Sequence, residues 1–157
     1  SYMGTDAIVM RHSAEGAPLY ATKAVDPIII NAGDGAHEHP TQALLDMYSN
    51  LEIKESIEGL KVVILGDIMH SRVARSNIYG LTKMGADVHL AGPRTMVYPE
   101  FEKLGVTVHH DIREAVADAD VVNVLRIQLE RIHSALYPTN REYARIFGIN
   151  NDVLKLA

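Results

Sequence analysis

The chain has 157 residues, of which 47% are hydrophobic and 22% charged, enough for one ordinary packed domain and too few for two large ones. A formal net charge of −5 without a lysine-rich block argues against a nucleic-acid reader, which needs a basic stripe to meet phosphates. With no cysteine there is no disulfide, thiol nucleophile or cysteine-bound zinc. No apolar run approaches the roughly 20 residues of a membrane helix and no leader pattern stands at the start, so no membrane partner and a cytoplasmic location are expected.

In chain order, residues 6–10 (DAIVM) form a short apolar run that ends at Arg11-His12, and Ile28-Ile29-Ile30 forms another that stops at Asn31-Ala32-Gly33-Asp34-Gly35. Short β-branched runs closed by Gly and Asp predict buried strands entering loops. Pro40 suits a first helical turn, and Leu44, Met47, Tyr48 and Leu51 follow at helical spacing, so His39 stands at the mouth of a helix running to about Asn50. Residues 61–65 (KVVIL) are the clearest strand. Val73, Ala74, Ile78, Leu81 and Met84 then trace a helix closed by Gly85.

Residues 86–91 predict the next strand, Pro99 to Leu104 a short helix stopped by Gly105, and residues 106–108 a strand. Asp111 with Glu114, and Thr139 with Glu142, form capping-box patterns for helices ending near Ala119 and Gly148. Between them residues 120–125 (DVVNVL) return as a buried strand. The β-α alternation from residue 60 onward predicts an α/β fold, a doubly wound parallel sheet of Rossmann-like type. The chain starts almost directly on a strand and stops seven residues into what Asn150 or Asn151 caps as a new helix, which reads as a fragment.

In such a sheet ligands bind beyond the carboxyl ends of the strands. Arg11-His12, residues 31–42, residues 67–75 and Arg126-Ile127-Gln128 all fall there. Arginines are permanently charged and grip carboxylate or phosphate with paired hydrogen bonds, so Arg11, Arg72 and Arg126 point to a small, multiply anionic ligand. His39 is suited to donate to a developing oxyanion; the plainer alternative is that it caps its helix. Arg75 reads as a surface ion-pair partner and His109-His110 as a surface pair. His37-Glu38-His39 lacks the spacing of a zinc protease helix, so no metal is expected. Gly66-Asp67-Ile68-Met69-His70-Ser71 lacks the second and third glycines of a dinucleotide loop, so no cofactor is expected either.

Asn31 to Gly35 followed by His39-Pro40-Thr41-Gln42-Ala43-Leu44-Leu45-Asp46 resembles the signature of the aspartate/ornithine carbamoyltransferase family. Arg11-His12, Ser71-Arg72-Val73-Ala74-Arg75-Ser76 and Leu125-Arg126-Ile127-Gln128-Leu129-Glu130-Arg131 match it in the same order, and the likeness covers essentially the whole chain. Ornithine-using members typically carry Cys where Thr41 stands, which favours the aspartate branch. The resemblance implies transfer of a carbamoyl group from carbamoyl phosphate to L-aspartate in pyrimidine biosynthesis, with no cofactor. It implies that Arg11 and His39 contact carbamoyl phosphate, His39 polarising its carbonyl, that Gln42 holds the carbamoyl amide, and that Arg72, Arg126 and Gln128 hold aspartate.

It further implies that residues 1–43 end a carbamoyl-phosphate domain and residues 44–157 form most of an aspartate domain. The intact protein would be a homotrimer, with a regulatory chain or multienzyme partner conceivable. The family's Ser-Thr-Arg-Thr-Arg stretch and a neighbour's lysine loop would precede Ser1, and its His-Pro-x-Pro segment would follow Ala157. Ser13 stands where Pro is common and Met69 where Lys is frequent. The fragment alone is therefore expected to be inactive, and the competing reading is a non-catalytic dicarboxylate-binding domain or scaffold relative.

Overall fold

A computed structural model describes residues 4–127 and 139–157. Two parallel sheets follow each other along the chain. The first pairs β1 (Ala7–His12) with β2 (Ile28–Asp34) in parallel, the crossover carrying the short helix α1 (Ala17–Ala21). Helix α2 (Pro40–Lys54) leaves this pair and leads to the second sheet. There β3 (Lys61–Leu65), α3 (Arg72–Lys83), β4 (Asp87–Ala91), a 3-10 helix (Pro99–Leu104), β5 (Thr107–His109), α4 (Ile112–Val116) and β6 (Val121–Val124) alternate. The helices α5 (Asn140–Phe147) and α6 (Asn151–Leu154) follow.

All pairings in the second sheet are parallel, and its strand order is β5-β4-β3-β6. This is the expected doubly wound arrangement. The chain steps outward from β3 to β4 and β5, then returns to lie on the other side of β3. Residues of β3 alternate between two cores, as a period of two requires. Val62 and Ile64 face α3 with Ala74, Ile78, Leu81, Val88 and Leu90, while Val63 and Leu65 face α4 and α6 with Ile112, Ala115, Val116 and Val153. A strand buried on both faces reads as a continuous apolar run. Residues 61–65 read in that way.

Capping closes the helices on this sheet. Ser71 Oγ accepts from the Ala74 N–H, Thr139 Oγ1 from Glu142 N–H, and Asn150 Oδ1 from the N–H groups of Asp152 and Val153. Asp111 caps α4 by accepting from Arg113 N–H, and the helix ends at Val116, short of the expected Ala119, where Asp118 adopts a left-handed φ of 55°. Helix α2 runs to Lys54, past the expected Asn50. Its apolar stripe is not a core face: Leu44, Tyr48 and Leu51 are exposed, only Ala43 is buried, and Met47 packs against the larger core.

A candidate anion site between the two sheets

The order β5-β4-β3-β6 puts a topological switch point between β3 and β6, where the connections diverge and leave a crevice beyond the strand ends. Gly66 and Asp67 leave β3 there. Beside them Leu125 N–H donates to Leu65 O at 2.8 Å, so Arg126 emerges on the same edge with its side chain exposed. Arg72 begins α3 on that edge.

The end of β2 closes against this crevice. Arg72 is 8% exposed, and its Nη1 donates to the carbonyl of Gly35 at 3.2 Å. Gly33, at φ 113°, permits this approach: a Cβ there would lie 2.8 Å from the guanidinium carbon of Arg72. An arginine of the second sheet is thus held by backbone of the first. Two further bonds join the halves. His39 N–H donates to the buried Ser76 Oγ at 2.9 Å, and Asn77 Nδ2 donates to Asp46 Oδ2 at 2.7 Å.

His39 occupies the N-cap position of α2, but its side chain makes no capping bond; its Nδ1 lies 3.3 Å from Thr41 Oγ1. Burial holds the imidazole below its ordinary pKa. The cationic Arg72 and Arg11 push it further down, and Asp46 opposes them. The charges of Arg11, from β1, and Arg72, from α3, thus both reach this histidine. A neutral imidazole among fixed cations donates a hydrogen bond without taking up a proton at neutral pH.

The loop that presents His39 is organised by Asp34, a buried residue at the end of β2. Its carboxylate accepts from Gly16 N–H (2.6 Å), Glu38 N–H (3.0 Å) and Asn31 Nδ2 (3.2 Å), and faces His37 Nδ1 at 3.1 Å. Burial alone would raise the carboxyl pKa; these hydrogen bonds outweigh it and hold the group at about 2. Gln42, one turn into α2, gives its Nε2 to Asp46 Oδ1 at 2.8 Å.

Among the residues singled out from sequence, His39 and Arg72 meet at the junction of the two sheets, and Arg11 on β1 is near enough for its charge to reach His39. Gln42 lies on the first turn beside His39, and Arg126 stands on the sheet edge where Arg72 begins α3. Gln128 lies outside the described residues. Arg75 is exposed, and among the described residues no ion pair involves it. His109 and His110 differ from the expected surface pair: both are half-buried, His109 Nε2 lies 2.8 Å from His89 Nδ1, and His110 Nδ1 faces Gly92 O. Asp34, Asp46, Ser76 and Asn77 were not foreseen. For Asp46 a signal existed, since an amide and a carboxylate four residues apart meet on one helix face. Among the described residues no group of three or more His, Cys, Asp or Glu is placed to hold a metal ion.

Two parallel sheets, joined where Arg72 at the switch point of the larger one meets the end of β2 in the smaller, define a class of α/β protein. The comparisons make this particular. A family model described as "Aspartate/ornithine carbamoyltransferase, carbamoyl-P binding domain" matches residues 1–52, and its companion "Asp/Orn binding domain" matches residues 58–157. The chain belongs to the aspartate/ornithine carbamoyltransferase family.

It is 61% identical over 99% of its length to the aspartate carbamoyltransferase catalytic subunit of Ruminiclostridium cellulolyticum, and 63% identical over 99% to that of Geotalea daltonii, covering 50% of each. The chain thus spans about half the length of the curated relatives it matches. Among solved structures, aspartate transcarbamoylase from Trypanosoma cruzi in complex with carbamoyl phosphate gives a TM-score of 0.82 at 28% identity, covering 99% of this chain and 52% of that one. Ornithine carbamoyltransferase from Pyrococcus furiosus gives 0.78 at 29% identity, covering 98% and 51%.

Proposed function

We propose that this chain forms part of an aspartate carbamoyltransferase, which transfers the carbamoyl group of carbamoyl phosphate to the amine of L-aspartate. The products are N-carbamoyl-L-aspartate and phosphate, as pyrimidine biosynthesis requires. The observation that carries the reading is the junction where two parallel sheets meet, at which Arg72 is held on the Gly35 carbonyl and His39 on Ser76 Oγ. In the reaction the neutral aspartate amine attacks the carbamoyl carbon, the C–N bond forms, charge collects on the carbonyl oxygen, the C–O bond to phosphate breaks, and the departing phosphate takes the proton that the nitrogen loses. The imidazole of His39 donates to that oxygen, and Arg11 balances the phosphate. Gln42 holds the carbamoyl amide, while Arg72, Arg126 and Gln128 take the carboxylates of aspartate. No covalent enzyme intermediate is needed, because orientation and charge stabilisation suffice.

In this reading residues 1–43 belong to the carbamoyl-phosphate side and residues 44–157 to the aspartate side, consistent with two separate parallel sheets. A homotrimer and a cytoplasmic location complete the reading by family likeness; among the described residues no helix is long and apolar enough to cross a membrane. The test is carbamoyl-phosphate-dependent carbamoylation of L-aspartate by the full-length protein, with L-ornithine as the competing acceptor. Aspartate should be used and ornithine not. His39→Ala should lower kcat on the order of a hundredfold, the cost of one oxyanion donor. Arg126→Ala should raise the aspartate requirement and leave carbamoyl phosphate binding intact. Preference for ornithine, or a His39→Ala variant as fast as its parent, would overturn the reading.

A further inference from the structure

We propose that Asp46 is a positioning residue that fixes the side-chain amide of Gln42, so that the amide oxygen, not its nitrogen, faces the carbamoyl group. This rests on the carbamoyl-transfer reading above and goes beyond it. The carbamoyl group has two unlike ends, an oxygen that accepts and an NH2 that donates. His39, as a neutral donor, serves the oxygen. A group beside it that serves the NH2 has to be an acceptor. An amide can present either end, and the two are nearly equal in shape.

Asp46 removes the ambiguity. An ionised carboxylate only accepts, so Gln42 has to offer it Nε2, which it does at 2.8 Å from Oδ1. The oxygen of Gln42 is then left over as an acceptor, and no hydrogen bond among the described residues uses it. His39 and Gln42 are three residues apart on the first turn of α2, on one face, so donor and acceptor stand side by side.

Asp46 is in turn held. Asn77 is wholly buried and donates Nδ2 to Asp46 Oδ2 at 2.7 Å, while its own Oδ1 has no partner among the described residues. Leaving a buried carbonyl unsatisfied is costly, and the orientation persists because the carboxylate demands the donor. The chain of command runs Asn77, Asp46, Gln42, across the junction of α3 and α2. Asp46 is also near enough to act on the charge of His39. A bare stitch between two helices would need only one of these bonds; here both oxygens of Asp46 are used, one on each helix.

The experiment is a double-mutant cycle in the full-length enzyme with Asp46→Asn, Gln42→Ala and the pair. Asparagine keeps the shape of Asp46 but lets the Gln42 amide turn over. Asp46→Asn alone should lower kcat/KM for carbamoyl phosphate by roughly tenfold, the worth of one charge-assisted hydrogen bond, and change it less than about twofold when Gln42 is already alanine. Acetyl phosphate, which has a methyl where carbamoyl phosphate has NH2, should inhibit parent and Asp46→Asn equally.

Equal losses from Asp46→Asn in both backgrounds, or a matching loss of acetyl phosphate affinity, would overturn the proposal in favour of a structural stitch. If Asp46→Asn does not fold, Asp46→Ser carries the same two comparisons. A parent enzyme that fails to carbamoylate aspartate would instead remove the underlying function.

Discussion

In this chain, which spans about half the length of its relatives, Val62, Val63 and Ile64 of the four-stranded sheet are at most 1% exposed, whereas Val9 and Ile28 of the two-stranded sheet are 67% and 69% exposed. The larger sheet is held by apolar burial on both faces. At its site end the smaller one is held by directional bonds to Asp34, and across the junction by Arg72 on Gly35, His39 on Ser76 and Asn77 on Asp46. A hydrophobic core fixes a sheet as a whole, but it does not aim a guanidinium or an imidazole. The aiming is done by hydrogen bonds whose geometry tolerates little error.

The sharpest way to break this contrast is to delete side chains in both sheets of the 157-residue chain. Ile64→Ala should cost about 2–5 kcal/mol in urea unfolding, from lost burial plus a cavity. Val9→Ala should stay within about 0.5 kcal/mol, as for an exposed position. Comparable costs would mean that β1 is packed as tightly as β3, and the contrast would fail.

Asp34 sharpens the other side. Asp34→Asn should cost about 1–2 kcal/mol, since it weakens several bonds to a charged acceptor at once. Its pH signature has a definite sign. The folded carboxyl sits at about 2 against an ordinary 3.8, so the unfolded chain binds its proton first as pH falls. The stability it contributes is present above about 3.8 and is lost as pH drops through about 2. Unfolding followed between pH 5 and pH 2 should show this slope in the parent and a flatter one in Asp34→Asn.

The same contrast explains what the sequence disclosed. The strand Lys61–Leu65, buried from Val62 onward, was legible to the residue, because an apolar run bounded by Gly66 has one natural reading. His39 and Arg72 were placed by the rule that ligands sit beyond the strand ends, whereas Arg11, expected after its strand, lies inside β1. By contrast β2 continues through Asn31, Ala32 and Gly33 to Asp34, residues whose local preferences say loop. Gly33 is there for the approach of Arg72, a long-range reason that no local window contains. Asp34 was invisible for the same cause, and Asp46 was legible only in its bond to Gln42: a carboxylate near a turn or on a helix reads as solvated until its partners arrive from 18 or 31 residues away. Helix α1, five residues with Pro18 inside, is too short to show a period.

The smallest expected effect probes the far edge of the larger sheet, where a polar cluster sits on a sheet otherwise governed by burial. His89 on β4 gives Nε2 to Asp87 Oδ2 at 3.0 Å and meets His109 Nε2 on β5 through Nδ1 at 2.8 Å, the two rings stacked 5.1 Å apart. A nitrogen-to-nitrogen bond needs one donor and one acceptor, so two imidazolium rings cannot keep it. Burial lowers the pKa of His109; His89, Lys61 and His110 push it the same way, and Glu114 opposes them. A base depressed in the folded state gains its proton more readily after unfolding. The contribution of the pair is therefore present above the ordinary value of 6.5 and lost as pH falls through the lower folded one. Unfolding measured from pH 8 down to pH 5 should show a decline that His109→Gln flattens, smaller than the acid slope of Asp34. If His109→Gln leaves the decline unchanged, the pair is no proton-sensitive contact, and burial governs the larger sheet out to its edge.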